Sequence, residues 1–324
     1  MKSPDFWQSR EAPMARLLAP LGWVYAVVTT WRLAHGHPWK APIPVICVGN
    51  LTAGGAGKTP IVRDLALRLK ARGRNPGILS RGHGGTTRGP LKVDLARHTA
   101  ALVGDEPLLL AQYAPCWIAG DRAEGARAMA GGGIDVIVMD DGLQNPSLAQ
   151  DLRIIVADGA TGFGNGRAIP AGPLREQVAA GIARADALIV TGEDRCDLVK
   201  SFSKRIKCLQ TTVTIRDGLL SSGRPLIAFA GIGRPEKFRA TLIAAGANIA
   251  AFQEFADHHP YTESELKALA AGAKQLSAEL VTTEKDWMRL NAEWRSRIKA
   301  VAIDVVWRDE VALTALLDRV AQNG

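Results

Sequence analysis

The chain is poor in cysteine, and the few it has share no spacing that a metal could use. Cys47, Cys116, Cys196 and Cys208 lie scattered through 324 residues. Neither a zinc cluster nor a disulfide framework is built that way, and a reducing, cytosolic compartment fits best. Also missing is an apolar run of about 20 residues, the length a membrane-spanning helix needs. The apolar stretch near the start is not followed by a signal-peptide cleavage pattern. Internal repeats and low-complexity tracts are absent. No RNA-binding signature or basic helix with interleaved aromatics accompanies the net charge of +8, which argues against a nucleic-acid partner. An anionic membrane surface or a phosphorylated substrate remains.

What is present is a globular composition, 47% hydrophobic, long enough for two domains. Short apolar runs at 45–48, 77–80, 116–119, 136–139, 153–157 and 187–191 alternate with helical patterns such as 105–113 and 122–130. Such alternation predicts an α/β fold with a mostly parallel sheet and helices on both faces, whose ligands gather at the carboxyl ends of the strands. A glycine- and proline-rich connection at 159–173 interrupts the rhythm. A second series follows, with strands expected at 226–230, 250–255, 280–283 and 301–306. The expected organisation is an N-terminal helical region at 1–35, a nucleotide-binding domain at 36–200 and a smaller α/β domain at 201–324. The last helix is free to pack back on the first domain, and the cleft between the domains is the expected active site.

The first chemical signal is Thr52-Ala53-Gly54-Gly55-Ala56-Gly57-Lys58-Thr59, set between a predicted strand and a predicted helix. Glycines let successive backbone N–H groups converge on phosphate oxygens, and the helix N-terminus adds positive potential. Lys58 reaches the outer phosphates and the Thr59 hydroxyl suits Mg²⁺. Thr52 replaces the glycine of the strict pattern. The second signal is the apolar run 136–139 ending in Asp140-Asp141-Gly142-Leu143-Gln144. A buried strand that delivers a carboxylate to the sheet edge is what a phosphate-loop enzyme uses for Mg²⁺. The two side chains point to different sides, so only one need touch the ion.

Other groups read two ways from sequence alone. Asp105 and Glu106 open a helix after a glycine, either to complement the helix dipole or, being kept exposed, for chemistry. Arg81 and Arg122 follow strands, as phosphate neutralisers or as members of ion pairs. His258 and His259 precede a helix whose start is marked by Thr262 and Glu265, as surface residues or as catalysts. Lys285, in Thr282-Thr283-Glu284-Lys285-Asp286, meets either an anionic substrate or its neighbours. Residues 17–31 carry no charge and include Trp23, Tyr25 and Trp31, with Arg16 and Arg32 at the flanks and Pro20 and Gly22 within. This is a helix lying in a membrane interface or one packed on the core, and the aromatics and basic balance favour the membrane.

Taken in order, these residues resemble the tetraacyldisaccharide 4'-kinase (lipid A 4'-kinase) family nearly end to end. The resemblance runs through Phe6-Trp7, Leu17-Leu18-Ala19-Pro20-Leu21, Val48-Gly49-Asn50-Leu51-Thr52 and the phosphate loop. It continues through Ser80-Arg81-Gly82, Gly104-Asp105-Glu106-Pro107, Asp140 to Gln144, Gly164-Asn165-Gly166 and Pro170-Ala171-Gly172-Pro173-Leu174-Arg175-Glu176. Ala230-Gly231-Ile232-Gly233, Asp257-His258-His259 and the Thr282 to Asp286 motif complete it. The chain departs from the family pattern at His83, Asn145 and Gln177, where Tyr, His and Pro are usual.

The resemblance implies transfer of the γ-phosphate of ATP to the 4'-hydroxyl of an acylated glucosamine disaccharide 1-phosphate, forming lipid IVA. Lys58 and the loop from Thr52 to Thr59, with Arg81, Arg122, Gln144 and Arg175, would hold ATP. Thr59, Glu106, Asp140 and Asp141 would organise Mg²⁺. Asp105 and His258 would form a catalytic pair, the carboxylate near the hydroxyl and the histidine orienting it. The N-terminal segment would sit at the cytoplasmic face of a Gram-negative inner membrane. The competing reading is a partition-type or metal-chaperone ATPase, which has a lysine where this chain has Ala53.

Overall fold

The structure, a computed structural model, describes residues 4–216 and 223–321. Residues 1–3 of the expected N-terminal region, and 217–222 and 322–324 of the expected second domain, lie outside the described residues.

Among the described residues, eight strands in succession enter one sheet. They are β1 (Val45–Gly49), β2 (Pro76–Ser80), β3 (Leu91–Lys92), β4 (Cys116–Ile118), β5 (Val136–Asp140), β6 (Leu152–Asp158), β7 (Ala187–Thr191) and β8 (Lys207–Ile215). The next four, β9 (Leu226–Ala230), β10 (Ile249–Glu254), β11 (Glu279–Thr283) and β12 (Lys299–Val301), make a second sheet. The last, β13 (Ile303–Trp307), returns to the first. The large sheet runs β13-β8-β7-β6-β1-β5-β2-β4-β3 and the small one β10-β9-β11-β12. Pairing is parallel except where β13 meets β8 and where β3 meets β4. Parallel strands covered on both faces should read as continuous apolar runs, and β1, β2 and β5 are buried at every position.

Three features depart from the sequence reading. The antiparallel edge strand β3 is too short to leave a pattern. β8 lies beyond residue 200 yet extends the large sheet, pairing with β7 from Ala187↔Lys207 to Thr191↔Thr211. The run expected as one strand at 301–306 is two strands that serve different sheets, parted only at Ala302. No glycine, proline or polar cluster marks that change of sheet, so periodicity could not place it.

β1 is central, with β5 and β6 on either side. The chain leaves β1 through the helix Lys58–Ala71, which buries Ile61, Val62, Leu65, Ala66 and Leu69 on the sheet. The closing helix Glu310–Ala321 adds Leu313, Leu316, Leu317 and Val320 to that same core. The two sheets are tied at this joint. Arg63 of the Lys58–Ala71 helix is 3% exposed and donates to Glu284 Oε2 at 2.7 Å and to the Ile303 carbonyl. Tyr113 donates to Glu284 Oε1 at 2.7 Å.

Near the N-terminus, the helix Ala19–Ala34 turns Gly22, Ala26 and Thr29 inward. A Cβ on Gly22 would stand 2.6 Å from the Ala168 carbonyl oxygen, so only glycine allows that approach. Leu17, Leu21, Val24, Val28 and Trp31 follow one another at helical spacing on the outer face, all more than half exposed, beside Trp23. Among the described residues no helix is long and apolar enough to cross a membrane.

Because Leu313 is fully buried in the core beneath the large sheet, Leu313→Ala should lower unfolding stability by about 2–5 kcal/mol. Urea denaturation followed by tryptophan fluorescence checks this. A midpoint within error of the parent would mean that the closing helix is not part of that core.

Candidate active site

The phosphate loop joins the carboxyl end of β1 to the helix Lys58–Ala71. Its turn uses Gly54 at φ 115° and Gly57 at φ 80°, backbone that a side chain would strain. The loop is braced by the 170–176 segment. Ala53 N–H donates to the Pro173 carbonyl and Arg175 N–H to the Leu51 carbonyl, each at 2.7 Å, while Thr52 bridges to Leu174. Lys58 Nζ donates to Asn50 Oδ1 at 3.0 Å and lies 3.5 Å from Asp141 Oδ1. Thr59 Oγ1 donates to Glu106 Oε1 at 3.5 Å.

The Asp140-Asp141 pair divides as its strand position demands. Asp140, the last residue of β5, is 2% exposed and accepts from Ser80 Oγ at 3.4 Å. Its Oδ1 is buried without a hydrogen-bond partner. Burial, with the neighbouring Glu106 charge, pushes its pKa from 3.8 up to about 7. Asp141, at φ 54°, accepts from Arg175 Nη1 at 2.8 and 2.9 Å. Burial alone would raise its pKa, but Lys58 and Arg175 hold it down at about 2.

Among the described residues there is no cluster of three or more His, Cys, Asp or Glu arranged to hold a metal. A closed cage is not what Mg²⁺ requires, since it keeps waters and takes one or two carboxylates with the substrate phosphates. The orphaned Asp140 oxygen and the Thr59–Glu106 contact fit such an ion. Asp141 is occupied by its two cations.

Asp105 and His258 meet across the two sheets. Gly104, at φ 91°, turns the chain into the helix Asp105–Ala111, and His258 Nδ1 lies 3.0 Å from Asp105 Oδ2. The same oxygen accepts from Arg289 Nε at 2.7 Å and from Arg289 Nη2. The expectation that Asp105 stays exposed is corrected here. It is 3% exposed, because the small-sheet residues Arg289 and His258 close over it. Burial would raise its pKa, yet the His258 hydrogen bond, Lys285 and Arg289 together hold it far below the usual carboxylate range. Glu106 is paired with Lys285, Nζ to Oε1 3.2 Å. Burial disfavours its charge, and Lys285 and Lys58 outweigh that and lower its pKa.

A cavity of about 1430 Å³ joins these groups. Gly54, Gly55, Ala56, Gly57, Lys58, Thr59, Arg81, Glu106, Arg122, Asp140, Asp141, Gln144, Arg175 and His258 line it, whereas Asp105 stands behind His258. Arg122 is 3% exposed, donates to the Ala119 carbonyl and leaves Nε unpartnered. Gln144 is a strut, donating to the Asn50 carbonyl at 3.1 Å and to Glu176 Oε1 at 2.8 Å. His83 sets its ring edge-on to His258, with centroids 5.7 Å apart. His259 lies away from the cavity, bound to Glu265 at 3.0 Å.

Sequence reasoning missed Arg289 and Asn50. Arg289 follows Asp286 at i+3 and pairs with it at 2.8 Å. Its second partner, Asp105, is 184 positions away, so nothing local announces it. Asn50 was visible as the polar residue between strand and loop, but not as the acceptor for Lys58.

The raised Asp140 pKa has a signed consequence. The folded chain binds more protons than the unfolded one from about pH 4 to 7, so stability falls as pH rises through that window. Asp140→Asn removes the penalty. In chelator, its melting temperature should exceed the parent's by at least ~2 °C at pH 8, with the gap narrowing steadily as pH falls toward 4. A gap that does not widen with pH would contradict the assignment.

Residues 14–322 match the family described as Tetraacyldisaccharide-1-P 4'-kinase. The chain is 51% identical over 323 residues to the Tetraacyldisaccharide 4'-kinase of Rhodospirillum centenum, covering 98% of this chain and 96% of the relative. It is 49% identical to that of Gluconacetobacter diazotrophicus, covering 98% of each. Among solved structures it is similar to LpxK from Aquifex aeolicus in complex with ATP, at TM-score 0.76 and 27% identity, covering 95% of this chain and 99% of that one. A match of this extent, on a chain whose phosphate loop, strand-end carboxylates and His258 share one cavity, places the protein in a family: it belongs to the tetraacyldisaccharide 4'-kinases.

Proposed function

We propose that the chain transfers the γ-phosphate of ATP to the 4'-hydroxyl of an acylated glucosamine disaccharide 1-phosphate, forming lipid IVA in lipid A biosynthesis. One observation carries this reading. A single cavity runs from the phosphate loop, past His258, to Tyr25, Thr29 and Arg32 of the helix Ala19–Ala34, whose outer face is apolar. A phosphate donor and a greasy acceptor can meet there.

In phosphoryl transfer the protein positions groups and stabilises charge rather than making bonds. The sugar oxygen bonds to the γ-phosphorus as the bridging P–O bond breaks and ADP leaves. The hydroxyl proton passes to the Asp105–His258 pair. The imidazole lines the cavity and the carboxylate lies behind it, so His258 Nε2 receives the proton and Asp105 holds the resulting charge. This inverts the order that the family resemblance implies, which would require Asp105 to come free of Arg289. Lys58 and the loop amides hold the phosphates. Thr59, Glu106 and Asp140 would hold Mg²⁺, which supplies charge neutralisation when bound. The small sheet acts as a second domain that brings His258, Lys285 and Arg289 to the loop.

Residues Leu21, Trp23, Val24, Val28 and Trp31 form the face that lies on the cytoplasmic leaflet of the inner membrane, where an acylated substrate resides. An interfacial helix with aromatics at headgroup level needs no spanning length.

The test offers radiolabelled ATP and the disaccharide 1-phosphate and follows label into the lipid phase. ATP hydrolysis without lipid labelling would instead support the partition-type ATPase reading. His258→Ala and Asp105→Ala should each lose on the order of 10²–10⁴-fold in kcat, with ATP binding retained. The double variant should be scarcely worse than the poorer single one. Multiplicative losses would mean independent roles, and a nearly active His258→Ala beside an inert Asp105→Ala would return the proton to the carboxylate.

The membrane face is checked with Trp23→Glu and Trp31→Glu. Both side chains are about 60% exposed, so the fold should be kept while sedimentation with anionic vesicles falls and KM for the lipid rises at unchanged kcat. Full vesicle binding by the double variant would contradict the assignment.

A further inference from the structure

Lys285 is held across the cleft between the two sheets. It is the second residue of the short helix Glu284–Trp287 that follows β11, and both its neighbours are fixed. Glu284 accepts from Arg63 and Tyr113 of the large-sheet unit at 2.7 Å each. Asp286 is fully buried and accepts from Tyr261 at 2.7 Å, Arg289 at 2.8 Å and Gly231 N–H at 3.0 Å. The backbone that carries Lys285 is therefore pinned to the helix of the phosphate loop on one side and to the small-sheet core on the other. The side chain between them crosses the cleft. Its ammonium lies 3.2 Å from Glu106 Oε1, the same oxygen that Thr59 Oγ1 approaches to 3.5 Å.

An ammonium has three donors. Among the described residues Glu106 is the one partner Lys285 has within hydrogen-bond distance, and the side chain lines the cavity. It neutralises Glu106, but the other paired carboxylates do not need it. Asp105 already has Arg289 and His258, and Asp141 already has Arg175 and Lys58. Lys58 and Lys285 thus approach the Glu106 region from opposite sheets, one at the base of the phosphate loop and one facing it.

We propose that Lys285 is a further catalytic residue, a cationic finger supplied by the small sheet that contacts the transferring γ-phosphoryl oxygens opposite Lys58. Glu106 holds the ammonium in place for that contact. Charge spreads over three equatorial oxygens during transfer, and the phosphate loop covers one side only, so a cation from the other side stabilises what the loop does not reach. The inference rests on the kinase reading and deepens it.

The experiment uses the full chain with Lys285→Gln, Lys285→Met and Lys285→Arg, measuring kcat for lipid labelling and, separately, calorimetric binding of ADP and of a non-hydrolysable ATP analogue with Mg²⁺. Gln keeps a hydrogen bond to Glu106 without the charge, and it carries the test if Met fails to fold. The expected result for Gln and Met is a kcat loss of about 10³-fold or more. Their affinity for the ATP analogue should fall about tenfold, the worth of one charge-assisted hydrogen bond, while ADP affinity is unchanged. Arg should keep the preference for the triphosphate. Wild-type turnover in Lys285→Gln, or equal losses of ADP and ATP-analogue affinity, would overturn the proposal and leave Lys285 a structural partner of Glu106. A parent protein that labels no lipid would overturn the kinase reading instead, and the binding comparison would still decide the role of Lys285.

Discussion

Four carboxylates, Asp105, Glu106, Asp140 and Asp141, crowd the carboxyl edge of the central strands, and their compensation is the constraint on which the rest of the structure depends. The large-sheet unit supplies Lys58 and Arg175 to Asp141. The small-sheet unit supplies Lys285 to Glu106, and Arg289 and His258 to Asp105. Buried like charges of this number are tolerable only when opposite charges share the site. Asp140 alone lacks a cation within ion-pair distance, and it is the carboxylate whose pKa rises. Asp140, with an orphaned oxygen, is therefore where the proposed Mg²⁺ would supply the positive charge.

That arrangement explains why the small sheet is tied so firmly to the phosphate-loop helix. Arg63 reaches both Glu284 and the Ile303 carbonyl, where the chain leaves β12 for β13. The same motif that pins the joint also projects Lys285 into the cleft and sets Asp286 against Arg289. Position of the candidate catalytic groups and attachment of the two sheets are one network.

Much of this was legible in the sequence, for physical reasons that can be named. The phosphate loop declared itself because a glycine-rich run between a strand and a helix start readily takes the positive φ that Gly54 and Gly57 show. Asp140 and Asp141 were found because an apolar run ending in a carboxylate pair delivers it to the sheet edge, and they divide because Asp140 closes the buried strand while Asp141, at φ 54°, begins the turn after it. The central parallel strands were visible as unbroken apolar runs. What stayed hidden depends on contacts between distant segments. Arg289 matters only because it meets Asp105. Asp105 is buried only because Arg289 and His258 cover it. The parting of β12 from β13 at Ala302 follows from which sheet each side can join, with no turn residue to report it. The Asp105–His258 pairing came from resemblance to a family, since two histidines in a loop are ordinary surface residues by spacing alone.

The measurement that bears most directly on this account is a crystal structure with a non-hydrolysable ATP analogue, Mg²⁺ and the intact chain. The account predicts the ion on Thr59 with Glu106 and Asp140, the Arg175–Asp141 pair preserved, and the γ-phosphate lying between Lys58 and the His258 side of the cavity. An ion coordinated by Asp141 with Arg175 displaced, or a triphosphate seated away from His258, would contradict it.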